Sequence, residues 1–101
     1  MPQKMKKYER RILEAIIENA DKSIRSKLYC QYKELSVVKR EFTGVGFYIY
    51  FELPDPSYAI ADLTDVPILR LGGIAAEIKG LKHGADFILY VKHGVITMLE
   101  G

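Results

Sequence analysis

The chain has 101 residues, which is room for one domain and one hydrophobic core. Hydrophobic residues make up 49% and charged residues 28%, a balance that excludes an intrinsically disordered polypeptide. A net charge of +2 is too small to mark a nucleic-acid binder by itself, and one cysteine excludes an internal disulfide.

The opening segment, Met1-Pro2-Gln3-Lys4-Met5-Lys6-Lys7, is basic, but no apolar run follows it, so it does not read as a signal peptide. No stretch approaches the ~20 consecutive apolar residues of a membrane span. Cys30 stands alone, without metal-ligand spacing, and reads as an inert, partly buried side chain of a reducing compartment. These features predict a cytoplasmic protein with no membrane partner.

Residues 4–19 have helical periodicity. Met5, Tyr8, Ile12, Ile16 and Ala20 form one stripe, widened by Leu13 and Ile17. Lys4, Lys6, Lys7, Arg10 and Arg11 crowd its first turns and read as a solvated face, interleaved with Glu9, Glu14 and Glu18. Asp21 is placed to cap a second helix carrying Ile24, Leu28, Tyr32 and Leu35, with a break near Lys33.

From Ser36 the period changes. Val38 to Phe42, a glycine turn at Gly44-Val45-Gly46, and Phe47 to Leu53 predict a hairpin. Alternation sends Phe47, Ile49, Phe51 and Leu53 to one face and Tyr48, Tyr50 and Glu52 to the other. Pro54-Asp55-Pro56 ends that strand, and a long apolar connection is predicted over residues 54–71. Gly72-Gly73 then opens a short strand at Ile74-Ala75-Ala76-Glu77-Ile78, preferred over a short helix because glycines bracket it, with a loop over residues 81–85. Residues 86–92 and 95–99 form a last hairpin around a tight His93-Gly94 turn. The pattern is α+β: two N-terminal helices packed on a roughly five-stranded, antiparallel, strongly curved sheet.

Thr43-Gly44-Val45-Gly46-Phe47-Tyr48, Gly84-Ala85-Asp86-Phe87-Ile88-Leu89-Tyr90 and Met98-Leu99-Glu100-Gly101 are the segments through which the chain resembles a known group. It is similar, over roughly residues 35–101, to a loose set of small uncharacterised bacterial α+β proteins. The resemblance implies no transferable activity. Immunity-type binding among such proteins implies a non-catalytic role by analogy only.

Candidate chemistry is sparse. His83, with Asp86 and Glu77, is the centre of a hydrolase or transferase alternative, but Ser23, Ser26, Ser36 and Ser57 lack a nucleophile motif. His83 and His93 each precede a glycine and read as turn residues. Asp55, Asp62 and Asp65 do not match a calcium loop, and Gly72-Gly73 does not match a phosphate loop, so no metal or cofactor is expected. The two strong strands, however, are apolar on both faces. Tyr48, Tyr50 and Tyr90, with Glu52, are therefore expected to form a binding surface opposite the helices, covered by the connection or by a second subunit. The reading is a non-catalytic binding or protein-interaction module of unknown function, acting as a homodimer. Alternatives are the His83-centred enzyme and a weak nucleic-acid binder using the basic helix and exposed tyrosines, with nucleic acid the least favoured partner.

Overall fold

The N-terminal stripe folds as α1, Lys7–Glu18, in a computed structural model that describes residues 3–44, 46–75 and 86–101. Ile12, Leu13, Ile16 and Ile17 are buried as their spacing predicts, but Tyr8 is exposed and Glu9 is buried instead. Glu9 is satisfied where it lies. It accepts the Lys6 backbone N–H at 2.7 Å, as a first-turn carboxylate does, and pairs with Arg40 of the sheet.

Asp21 caps α2, Lys22–Glu34, by accepting the Ser23 N–H at 2.9 Å. The helix buries Leu28 and Gln31. Cys30 is exposed rather than partly buried, because it stands about 200° around the helix from Leu28.

The strands are β1 Ser36–Phe42, β2 Phe47–Glu52, β3 Leu69–Ala75, β4 Asp86–Lys92 and β5 Val95–Glu100. They form one sheet in the order β1-β2-β5-β4-β3, with every neighbouring pair antiparallel. The fold is thus α+β, two helices followed by a five-stranded antiparallel sheet. The sheet is open, with β1 and β3 at its edges, so the curvature expected of it does not close it. Both helices lie against one face, α1 on β3 and β4, and α2 on β5. Ile49, Phe51, Phe87, Leu89, Ile96 and Leu99 fill the layer between.

β3 corrects the predicted boundaries. It starts at Leu69, so the preceding connection ends at Ile68, and Gly72-Gly73 lies inside the strand rather than before it. The pairing register shifts between Gly72 and Ile74, which makes the glycines part of a β-bulge, the usual place for glycine within a strand. The remainder of the predicted strand, residues 76–78, and the loop at 81–85 lie outside the described residues.

The connection holds two 3₁₀ turns, Pro56–Tyr58 and Ala61–Leu63, and packs at the β4–β5 turn. His93 and Gly94 have φ of +49° and +81°, the left-handed pair of a type I′ hairpin. A Cβ at Gly94 would also stand 2.5 Å from the Ile60 carbonyl oxygen. Gly94→Ala is therefore expected to cost more than ~1 kcal/mol, read as a lower urea midpoint with an unchanged slope.

Among the described residues, no helix is long and apolar enough to cross a membrane, which says nothing of a β-barrel.

Candidate functional site

The outer face of the sheet follows from pairing register, since directly paired residues share a face. One row runs Lys39–Tyr50–Met98–Tyr90–Arg70 across β1, β2, β5, β4 and β3. The next outward row runs Glu41–Tyr48–Glu100–Ile88–Gly72. Tyr48, Tyr50, Ile88, Tyr90 and Met98 are all half-buried. The three predicted tyrosines therefore do share the face opposite the helices. Glu52 lies on the same side of β2, opposite Ser36 and exposed, toward the end where the connection leaves.

The rows exist because of bulges. Val37 is buried against Phe51, and Val38 is an extra residue without a partner on β2, 49% exposed. The insertion turns Lys39 and Glu41 outward and Arg40 inward, which strict alternation from Val37 would reverse. A second shift between Tyr90 and Val91 makes Thr97 the extra residue of β5. It turns Met98 outward while Ile96 and Leu99 both stay buried.

Each tyrosine of the first row carries a cation beside it. The Lys39 ammonium is 5.7 Å from the Tyr50 ring centroid, and the Arg70 guanidinium is 5.7 Å from that of Tyr90. Lys39 also stands 3.4 Å from Glu41. The Tyr90 hydroxyl donates to Glu100 Oε1 at 2.6 Å. That bond, with some burial, holds the Tyr90 pKa above its ordinary value against the opposing pull of Arg70.

The connection does not reach this face. Its Ile60 N–H donates to the Gly94 carbonyl, and its Val66 carbonyl accepts from His93 N–H. Its Tyr58 carbonyl accepts from Gln31 of α2 at 2.9 Å, and its Thr64 carbonyl lies 2.8 Å from His93 Nδ1. Ile60 is buried in the core, on the helix side. Cover by the connection, one of the two expectations, is thereby replaced by packing against α2 and the hairpin turn. The residue that draws it there is Gln31, which the sequence reading passes over. Its side chain is buried, donates to two carbonyls and accepts the Ile96 N–H at 2.9 Å. The available signal is its spacing, three residues after Leu28 on the buried stripe.

Among the described residues, the other candidates do not assemble into a site. His83 and Glu77 lie outside the described residues, and Asp86 is placed only as the first residue of β4, paired with Ala75. His93 occupies its turn. Asp55 caps a 3₁₀ turn through the Ser57 N–H, which holds its carboxyl below the usual range, and Asp62 is 3.9 Å from Lys27. Among the described residues, no three His, Cys, Asp or Glu side chains come together as metal ligands. A cavity of about 520 Å³ opens beside Lys4, Arg10, Tyr32 and Lys33, but it lies on the helix side, away from Tyr48, Tyr50 and Tyr90. Among the described residues, the basic stripe that nucleic acid would follow does not continue onto the outer face, where Lys39, Arg70 and Lys92 are interspersed with Glu41, Glu52 and Glu100.

No protein-family model, curated protein or solved structure matches this chain.

Proposed function

We propose that this protein is a non-catalytic binding module that works through the outer face of its sheet and acts as a cytoplasmic homodimer. The observation that supports this is the Lys39–Tyr50–Met98–Tyr90–Arg70 row, which crosses all five strands, with the long connection packed on the opposite side. Tyrosine and methionine suit a contact surface because each brings apolar area, and tyrosine also has a polar end that tolerates water. The single exposed thiol supports a reducing compartment.

The reading is tested at Tyr50, which has no part in the buried core. Tyr50→Glu removes the ring and places a charge that must be desolvated in the contact surface, and is expected to weaken self-association by roughly a hundredfold while leaving circular dichroism unchanged. Sedimentation velocity over a concentration series reads the first effect. A wild type that stays monomeric at high micromolar concentration overturns the homodimer, and a Tyr50→Glu variant that associates as well as wild type removes the face.

A further inference from the structure

We propose that the second copy packs face to face on this sheet about a two-fold axis running across the strands, between the Tyr50 row and the Tyr48 row. This rests on the outer face being the self-association surface and adds the geometry by which it recognises itself.

The two rows have opposite character. The first carries Lys39 and Arg70 at its ends, with Tyr50, Met98 and Tyr90 between them. The second carries Glu41 at the β1 edge and Glu100 in the middle. A two-fold interface is self-complementary, so if one residue faces a second on the other copy, the second faces the first in return. Two axes lying in the interface keep the strands of the packed sheets aligned, one parallel to β5 and one perpendicular to it.

An axis along β5 lays each row on itself. It sets Glu100 against the partner's Glu100 and Lys39 against the partner's Arg70, so like charges meet at the centre and at both edges. An axis across the strands lays the first row on the second. Lys39 then faces the partner's Glu41 and Glu41 faces the partner's Lys39, extending the 3.4 Å pair within each chain into an alternating set of four charges. Glu100 comes over the partner's Met98, whose row neighbours are Tyr50 and Tyr90. Its Oε1 is already taken by Tyr90 of its own chain, and Oε2 is available to accept the Tyr50 hydroxyl of the other copy. That bond satisfies the one carboxylate the contact would bury near its centre.

The size of the face sets the strength. Five strands about 4.8 Å apart and about 20 Å long present on the order of 400 Å² in plan, short of the ~800 Å² per partner of a standard interface. The dimer is therefore expected to be a weak one that depends on protein concentration.

The test is charge reversal on β1, at two exposed positions that leave the core untouched. Lys39→Glu alone sets a carboxylate against the partner's Glu41, and Glu41→Lys alone sets an ammonium against the partner's Lys39. Each is expected to weaken self-association roughly tenfold. Mixed in equal amounts, the two variants restore opposite charges at both edge contacts. At one, the carboxylate introduced at position 39 meets the ammonium introduced at position 41. At the other, the native Glu41 of the first variant meets the native Lys39 of the second. The mixture is expected to recover wild-type affinity to within about twofold, measured by sedimentation with one variant labelled. An axis along β5 gives the opposite sign, since a carboxylate at position 39 would face the partner's Arg70 and Lys39→Glu would tighten the dimer. Tightening, or loss in both variants without recovery on mixing, overturns the axis while the dimer stands. A wild type that does not associate overturns the dimer itself.

Discussion

Arg40→Ala is expected to destabilise the protein by about 3–5 kcal/mol at neutral pH, because it strands the Glu9 carboxylate inside the fold. Glu9 is fully buried, and Arg40 grips it with two bonds, Nε to Oε2 at 2.7 Å and Nη2 to Oε1 at 2.9 Å. The same guanidinium donates to Gln3 Oε1 at 2.7 Å. Gln3 in turn pairs with Val37 by two backbone hydrogen bonds, so one side chain ties the N-terminal segment, α1 and β1 together.

The pH dependence separates this mechanism from simple loss of packing. Burial pushes the Glu9 pKa up, but the Arg40 hydrogen bonds, the Lys6 N–H and the nearby positive charges prevail and leave it below its ordinary 4.5. In the wild type, this contribution is fully present above that ordinary value and is lost as pH falls through the lowered one. In Arg40→Ala the main opposing causes are gone and burial raises the pKa. The variant then gains stability relative to wild type as pH falls and Glu9 takes up a proton. The difference in urea midpoint is expected to be largest near pH 7 and to shrink as pH falls, first through the raised pKa of the variant and then through the lowered one of the wild type. A difference that stays constant with pH would mean that the lost contact is packing alone. Glu9→Leu combined with Arg40→Met removes both charges and is expected to cost less than Arg40→Ala.

Much of the fold is legible in the sequence because its signals are local. The stripe from Ile12 to Ile17, the Asp21 cap and the His93-Gly94 turn each depend on neighbours within a few residues, and each is found where that chemistry places it. The core side of β2 and β4 is legible for the same reason. Ile49, Phe51, Phe87, Leu89 and Val91 alternate without interruption and are all buried. Where a bulge intervenes, alternation fails. Val38, Gly73 and Thr97 each add a residue to one strand, and β1, β3 and β5 all change face partway along. Lys39, Arg70, Met98 and Glu100 thus join the tyrosines through register, a property of pairs of strands that no single segment encodes. Glu9 and Gln31 are read only weakly from spacing, for another reason. A charged or amide residue on a buried stripe looks like a solvated position until its long-range partner, 31 residues away for Arg40 and 65 for Ile96, is known.

The second large effect is expected at Gln31, and it bears on why the outer face is free. The buried side-chain amide uses both N–H donors, on the Gly94 carbonyl at 2.7 Å and the Tyr58 carbonyl at 2.9 Å, and its oxygen accepts the Ile96 N–H. One residue of α2 thus holds the β4–β5 hairpin and the connection on the helix side of the sheet. Gln31→Leu keeps the approximate volume and leaves the Ile96 N–H without a partner, while the Gly94 carbonyl retains the Ile60 N–H. The expected loss is about 2–4 kcal/mol. Hydrogen exchange should quicken first at Ile60 and His93, whose amides bond between the connection and the turn. Gln31→Glu sharpens the argument, because it changes the charge and nearly nothing else. Ionised, it sets a buried carboxylate against two carbonyl oxygens. Protonated, it can donate to Gly94 and still accept from Ile96. Its folded pKa is therefore raised above the unfolded value, so its stability is retained below the unfolded pKa and lost as pH rises through the folded one. Near about pH 4 the variant is expected to approach wild type, and by about pH 7 to fall below Gln31→Leu. Urea titrations at the two pH values decide it, and a Gln31→Glu variant as stable as wild type at neutral pH would show that the clasp does not hold the connection.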